Sequence, residues 1–210
     1  IEQTVKKTEL NGGTKFVDLF SGTSEVGKHF KKLGYTVISN DFLEFAYSIS
    51  KSYIETNKPP QFKRLRKEFQ LGSGIEKVFD YLNSLQKVEG FIFQNYCPNG
   101  GRKYFTDENA LRIDSIREAI YLWKREDLIN EQEYYYLITA LLEAVNLVSN
   151  VSGTYAAYLK DWDKRALKPL FLTPPEIIKS NKKNKAFKND ANELIKEINC
   201  DILYLDPPYN

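Results

Sequence analysis

The chain of 210 residues (24.4 kDa) is 42% hydrophobic and 28% charged, which excludes a disordered segment and leaves enough chain to close a sizeable core. Its 30 basic and 28 acidic residues leave a net charge of only +2, so bulk charge names no partner, and no apolar run approaches the ~20 residues of a membrane-spanning helix. Cys97 and Cys200 stand alone, without the spacing of a disulfide framework or zinc site; no metal is expected, and the setting expected is reduced and cytoplasmic.

In chain order, Phe16-Val17-Asp18-Leu19-Phe20 is a β-favouring run that ends in a Ser-Gly-Thr turn, which predicts a strand. Ser24 follows as a candidate N-cap, and Val26, Phe30 and Leu33 recur on one helical face. Residues 35–39 read as a second strand with Asn40-Asp41 at its end, and Phe42, Phe45, Ile49 and Tyr53 mark another amphipathic helix. Strand, helix, strand, helix is the pattern of an α/β fold with a mostly parallel sheet.

Lys58-Pro59-Pro60 interrupts that unit. A helix is predicted near residues 75–85, a strand at Phe91-Ile92-Phe93, and a loop at Asn99-Gly100-Gly101. Thr106 opens a helix whose apolar face is Ile113, Ile116, Ile120 and Trp123, and residues 131–149 form another, with Leu137, Leu141, Val145 and Val148 on one side. Residues 153–170 interleave aromatics with bases, and residues 179–188 carry five lysines and no acid, which suits either a flexible loop or phosphate contact. A last helix near residues 191–198 leads to Ile202-Leu203-Tyr204-Leu205, read as a buried strand. The expected organisation is a cofactor-type unit at 1–57, a mainly helical basic and aromatic region at 58–190, and a return to the sheet at 191–210. Beginning at Ile1 without a methionine and stopping at Asn210, the sequence reads as a piece of a longer protein.

Three places could carry chemistry. In the turn Phe20-Ser21-Gly22-Thr23-Ser24, the glycine permits close backbone approach to a ligand and the helix start offers free N–H groups. Asp41, nineteen positions after Gly22, stands where a carboxylate can accept bonds from both hydroxyls of a ribose; the bland alternative is an ordinary turn and a solvated acid. The second place is Asp206-Pro207-Pro208-Tyr209. Its prolines fix the backbone and withhold two amide donors, leaving the Asp206 carboxylate and the Pro207 carbonyl as acceptors for an exocyclic amine, with Tyr209 to cover the ring. The third is the basic and aromatic middle. There Arg102, Lys160, Lys164, Arg165, Lys182 and Lys183 are candidate phosphate contacts, although lysine-rich segments also serve solubility alone.

Residues 16–23, with Val26-Gly27, Asn40-Asp41, Gly100-Gly101-Arg102, Tyr104-Phe105-Thr106 and the closing Asp206-Pro207-Pro208-Tyr209, resemble the Dam-like, alpha-class adenine-specific DNA methyltransferases. The motif order is theirs: cofactor turn, target-recognition region, then Asp-Pro-Pro-Tyr. The resemblance implies a Rossmann-like methyltransferase sheet with helices on both faces, a largely helical inserted target-recognition region, and further strands that would leave the sheet of these residues incomplete. It implies S-adenosylmethionine as methyl donor, bordered by Phe20, Ser21, Gly22, Thr23 and Ser24 with Asp41 on its ribose. Asp206, Pro207 and Tyr209 would hold and stack an adenine flipped from double-stranded DNA. A cognate restriction endonuclease would be the partner of such a modification enzyme. Where that family's turn has a second glycine this chain has Ser24, whose side chain would either crowd the cofactor or cap the helix. The competing expectations are transfer to cytosine or RNA, and a catalytically incomplete piece that binds DNA.

Overall fold

The computed structural model describes residues 1–6, 14–153 and 157–208. The chain divides into two units, one of Ile1–Pro60 with Glu176–Asn210 and one of Gln61–Pro175. In chain order the first unit opens with α1 (Glu2–Lys6), β1 (Lys15–Asp18), α2 (Glu25–Lys32), β2 (Thr36–Asn40) and α3 (Glu44–Ser50), which runs on as a π-helical turn over Lys51–Glu55. The second unit holds α4 (Lys63–Glu68), α5 (Glu76–Ser84), α6 (Phe91–Tyr96), a 3₁₀ turn at Pro98–Gly100, α7 (Asp107–Arg125) and α8 (Glu131–Leu147). The chain then returns to the first unit with β3 (Lys185–Phe187), α9 (Ala191–Glu197) and β4 (Ile202–Tyr204).

Among the described residues the strands form one parallel sheet in the order β3-β2-β1-β4. Successive side chains of a strand point to opposite faces, and both faces are covered here, as parallel sheets require. Phe16 and Val37 pack with Phe30 of α2 and Ile54 on one side; Val17, Leu19 and Ile38 pack with Leu194 of α9 on the other. Gly27 lets α2 lie close, since a Cβ there would come within 3.0 Å of both Ile54 and Ser39. In the second unit the predicted face of α7 is buried at Ile113, Ile116, Ile120 and Trp123. Asn130 and Glu133 close a capping box on α8.

Several expectations are corrected. Phe91-Ile92-Phe93 is helix, not strand: the Asp114 side chain accepts from the N–H groups of Ile92 (3.0 Å) and Phe93 (2.8 Å) and caps α6. A run of three apolar residues carries no period of its own, so this tertiary cap decides. Residues 185–187 of the lysine-rich segment are an edge strand, paired with β2 from Ile38↔Lys185 to Asn40↔Phe187. The sheet therefore receives the chain before residue 191. β4 is an edge strand too, with Leu203 and Leu205 exposed. On α3 the buried residues are Ala46, Ser48 and Ser50, while Phe42 and Phe45 face solvent. In α2, Leu33 is exposed and Lys31 is buried.

Candidate active site

The carboxyl ends of β1, β2 and β4 carry the turn of residues 20–24, Asp41 and the Asp206-Pro207-Pro208 segment. Asp18 pairs in register with Tyr204, so the turn after β1 and the Asp206-Pro207-Pro208 segment leave the same edge of the sheet. β1 sits where the connections diverge, with β2 on one side and β4 on the other; in open α/β sheets that is where ligands bind.

The turn is tightly organised. Asn40, buried at the end of β2, donates from its side chain to the carbonyls of Leu19 and Asn189, both at 3.1 Å, and its own carbonyl accepts from Ser21 N–H at 2.9 Å. Gly22 stands at φ +48°, with nothing within 4 Å of where a Cβ would be. Its N–H donates to Asp41 Oδ2 at 2.8 Å, and Leu43 N–H donates to Asp41 Oδ1 at 3.0 Å. Asp41 is thus a fixed, half-buried wall of the turn, and each of its oxygens keeps a lone pair for a further donor. Phe42 (73% exposed) and Leu43 (55%) present apolar surface beside it. Ser21 and Ser24 are buried, Phe20 and Gly22 partly so, and Thr23 is exposed. Ser24 supplies no side-chain cap to α2, contrary to one expectation; its hydroxyl meets Ser50 instead.

Asp206 is exposed and accepts from the Tyr204 hydroxyl at 3.3 Å. Pro207 is also exposed, and Tyr209 lies outside the described residues. Asp18, at the end of β1, is a candidate that the sequence did not single out. It is 1% exposed, and its Oδ1 has no hydrogen-bond partner among the described residues. Burial pushes its carboxyl up to about 7; the Phe20 N–H works against the rise, and the nearby charges of Asp41 and Asp206 add to it. The three acids therefore share one electrostatic neighbourhood. An acid within an otherwise apolar strand was the available signal.

The candidate phosphate contacts fall in different places. Arg102 and Lys160, with Lys103, Pro98, Gly101 and Tyr158, line a groove of about 420 Å³ in the second unit. Arg102 lies over the Tyr96 ring at 5.7 Å, and Tyr96, Tyr104 and Tyr158 follow edge to face, 5.5 and 5.2 Å apart. Lys164 and Arg165 are exposed shortly after it. Lys182 and Lys183 belong to the sheet unit, just ahead of β3. Among the described residues, no helix is long and apolar enough to cross a membrane, and no group of three or more His, Cys, Asp or Glu residues could hold a metal.

The profile of the D12 class N6 adenine-specific DNA methyltransferases matches residues 1–210. The chain is 46% identical to the type II methyltransferase M.FokI of Planomicrobium okeanokoites and 42% identical to the modification methylase StsI of Streptococcus sanguinis, in each case over all of this chain and 32% of the relative. It is 40% identical to the type II methyltransferase M.NlaIII of Neisseria lactamica, over 93% of this chain and 55% of the relative. The chain spans about a third of the length of the first two relatives. No solved structure matches. The chain belongs to the family of D12 class N6 adenine-specific DNA methyltransferases.

Proposed function

We propose that this chain carries the methyl-donor turn and the amine-binding motif of an enzyme that transfers a methyl group from S-adenosylmethionine to the exocyclic amine of adenine in a specific sequence of double-stranded DNA. The observation that carries the reading is the Asp18↔Tyr204 pairing, which sends both loops off one edge of the sheet. The relatives are named type II methyltransferase and modification methylase, which supports a modification enzyme; a cognate restriction endonuclease would be its partner.

The residues present fit S-adenosylmethionine. Its sulfonium and ammonium charges suit an edge where Asp18 holds a buried oxygen without a partner among the described residues and Asp41 and Asp206 lie near. Phe20, Ser21, Gly22, Thr23 and Ser24 would border the donor, Asp41 would accept from its ribose hydroxyls, and Phe42 and Leu43 would cover its apolar parts. The bound donor supplies an electrophilic methyl group.

The chain's own work lies on the acceptor side. The lone pair of an adenine amine is delocalised into the ring, which makes the amine a poor nucleophile. Hydrogen bonds from its two N–H groups to the Asp206 carboxylate and the Pro207 carbonyl favour a pyramidal nitrogen, localising the lone pair and aiming it. Orientation of this kind supplies much of the rate, so Asp206 need not act as a strong base. Tyr209 would stack on the flipped adenine. Arg102 and Lys160, in the groove beside the tyrosines, would contact the DNA backbone, with Lys164, Arg165, Lys182 and Lys183 as further phosphate contacts; such contacts make affinity fall steeply with salt.

The test is transfer of labelled methyl from S-adenosylmethionine to DNA by the complete polypeptide, followed by nucleoside analysis. The expected product is N6-methyladenine. Label in cytosine or RNA, or a DNA shift without label, would overturn the assignment.

A further inference from the structure

Ser24, the residue before α2, stands at φ 60°, ψ 19°, in the left-handed region that any residue with a Cβ disfavours. It is fully buried, and its hydroxyl makes no cap. That hydroxyl lies 2.7 Å from Ser50 Oγ, and Ser21 Oγ lies 3.1 Å from the same atom. All three serines are buried. A hydroxyl offers one donor and two lone pairs, so Ser50 can serve both partners at once. Within the turn, Ser24 N–H also donates to the Ser21 carbonyl at 2.6 Å.

Ser50 is itself held. It is the last residue of α3, where the helix widens into the π-helical turn. The far end of that turn is gripped by the buried Lys31 ammonium, which donates to the carbonyls of Tyr53 (2.8 Å), Ile54 (2.8 Å) and Thr56 (2.6 Å). A fixed helix end thus presents one hydroxyl to the two ends of a four-residue turn.

We propose that Ser50 is the positioning residue of the methyl-donor turn: its hydroxyl clasps Ser21 and Ser24, holds Ser24 in the left-handed conformation, and keeps the turn in its binding shape before the donor arrives. The proposal rests on the reading that this turn binds S-adenosylmethionine. Losing the clasp lets the turn populate other conformations, and apparent affinity falls in proportion to the competent fraction. Glycine adopts the left-handed region without steric cost and brings no hydroxyl that needs a partner, so S24G should make the clasp dispensable.

The experiment is calorimetric titration of S-adenosylmethionine into the complete protein as wild type, S50A, S24G and the S50A/S24G double variant, with steady-state methylation of DNA alongside. S50A is expected to weaken donor binding about five- to tenfold, roughly the worth of one buried hydrogen bond, and to raise the KM for donor rather than lower kcat. In the S24G background the same S50A change should cost less than about twofold. S50C, close in volume and a weak hydrogen-bonding group, should repeat the S50A penalty if S50A fails to fold. A penalty that is absent, equal in both backgrounds, or confined to kcat overturns the clasp while the reading of the turn stands. A wild type that binds no donor overturns that reading, and the clasp with it.

Discussion

Asp18 ends β1 with a carboxyl group that keeps its proton up to about pH 7 in the folded chain, against 3.8 for the free group. Between those values the folded state binds one proton more than the unfolded state, so this residue's contribution to stability falls as pH rises and levels off above about pH 7. Asp18→Asn has no such proton. Its stability relative to wild type should therefore improve by roughly 1–4 kcal/mol between pH 4 and pH 8, read as urea midpoints of both proteins at each pH. Parallel profiles would show that the carboxyl does not titrate in that window. Gly22, Asp41 and Asp206 were legible in the sequence because a turn glycine, a strand-end acid at the right interval and a carboxylate before two prolines each have a local signature. Asp18 has only a faint one and Ser50 none. One is an acid inside an apolar run, the other a serine in an amphipathic helix. Their roles arise only where segments distant in sequence meet, as Ser24 and Ser50 do across 26 positions.

At the scale of elements, α2 and the α3–π-helix pair are locked by Lys31, which satisfies three carbonyls that the helix end leaves open. Burial lowers its amine to about 8, so the ammonium persists at neutral pH. Lys31→Met keeps the apolar stem and removes all three donors; it should destabilise the chain by about 2–4 kcal/mol. Because the anchor of Ser50 loosens, it should also weaken S-adenosylmethionine binding. A thermal melt and a donor titration check the two effects, and full stability would contradict the lock. Helices with long apolar periods, α7 and α8, could be read from the sequence. Short elements could not, because neighbours decide them: Asp114 turns Phe91-Ile92-Phe93 into helix, and pairing with β2 turns part of a lysine-rich run into β3. The same holds for the irregular chain beyond α8. Asn150 donates to the carbonyls of Lys103 and Leu159 at 3.0 Å and accepts from Asp163 N–H at 2.9 Å, tying together the segments that carry Arg102, Tyr158 and Lys160.

Across the whole molecule, strand order does the work of assembly. A parallel sheet in which β1 lies between β2 and β4 sends the first turn and the last motif off one edge, though 181 residues, a helical unit among them, intervene in the chain. The α/β class and its inserted helical region were legible from the alternation of elements, and the resemblance already implied a sheet left incomplete by these residues, as the unpaired side of β4 among the described residues bears out. On the proposed function this edge divides its labour, the Gly22 turn holding the donor and Asp206 handling the amine. Asp206→Ala in the complete protein separates the two roles, with S-adenosylmethionine affinity and the single-turnover methylation rate measured on the same preparation. Donor affinity should stay within about threefold of wild type while the rate falls by about a thousandfold or more. Donor affinity and rate lost together, or a rate that survives, would contradict that division.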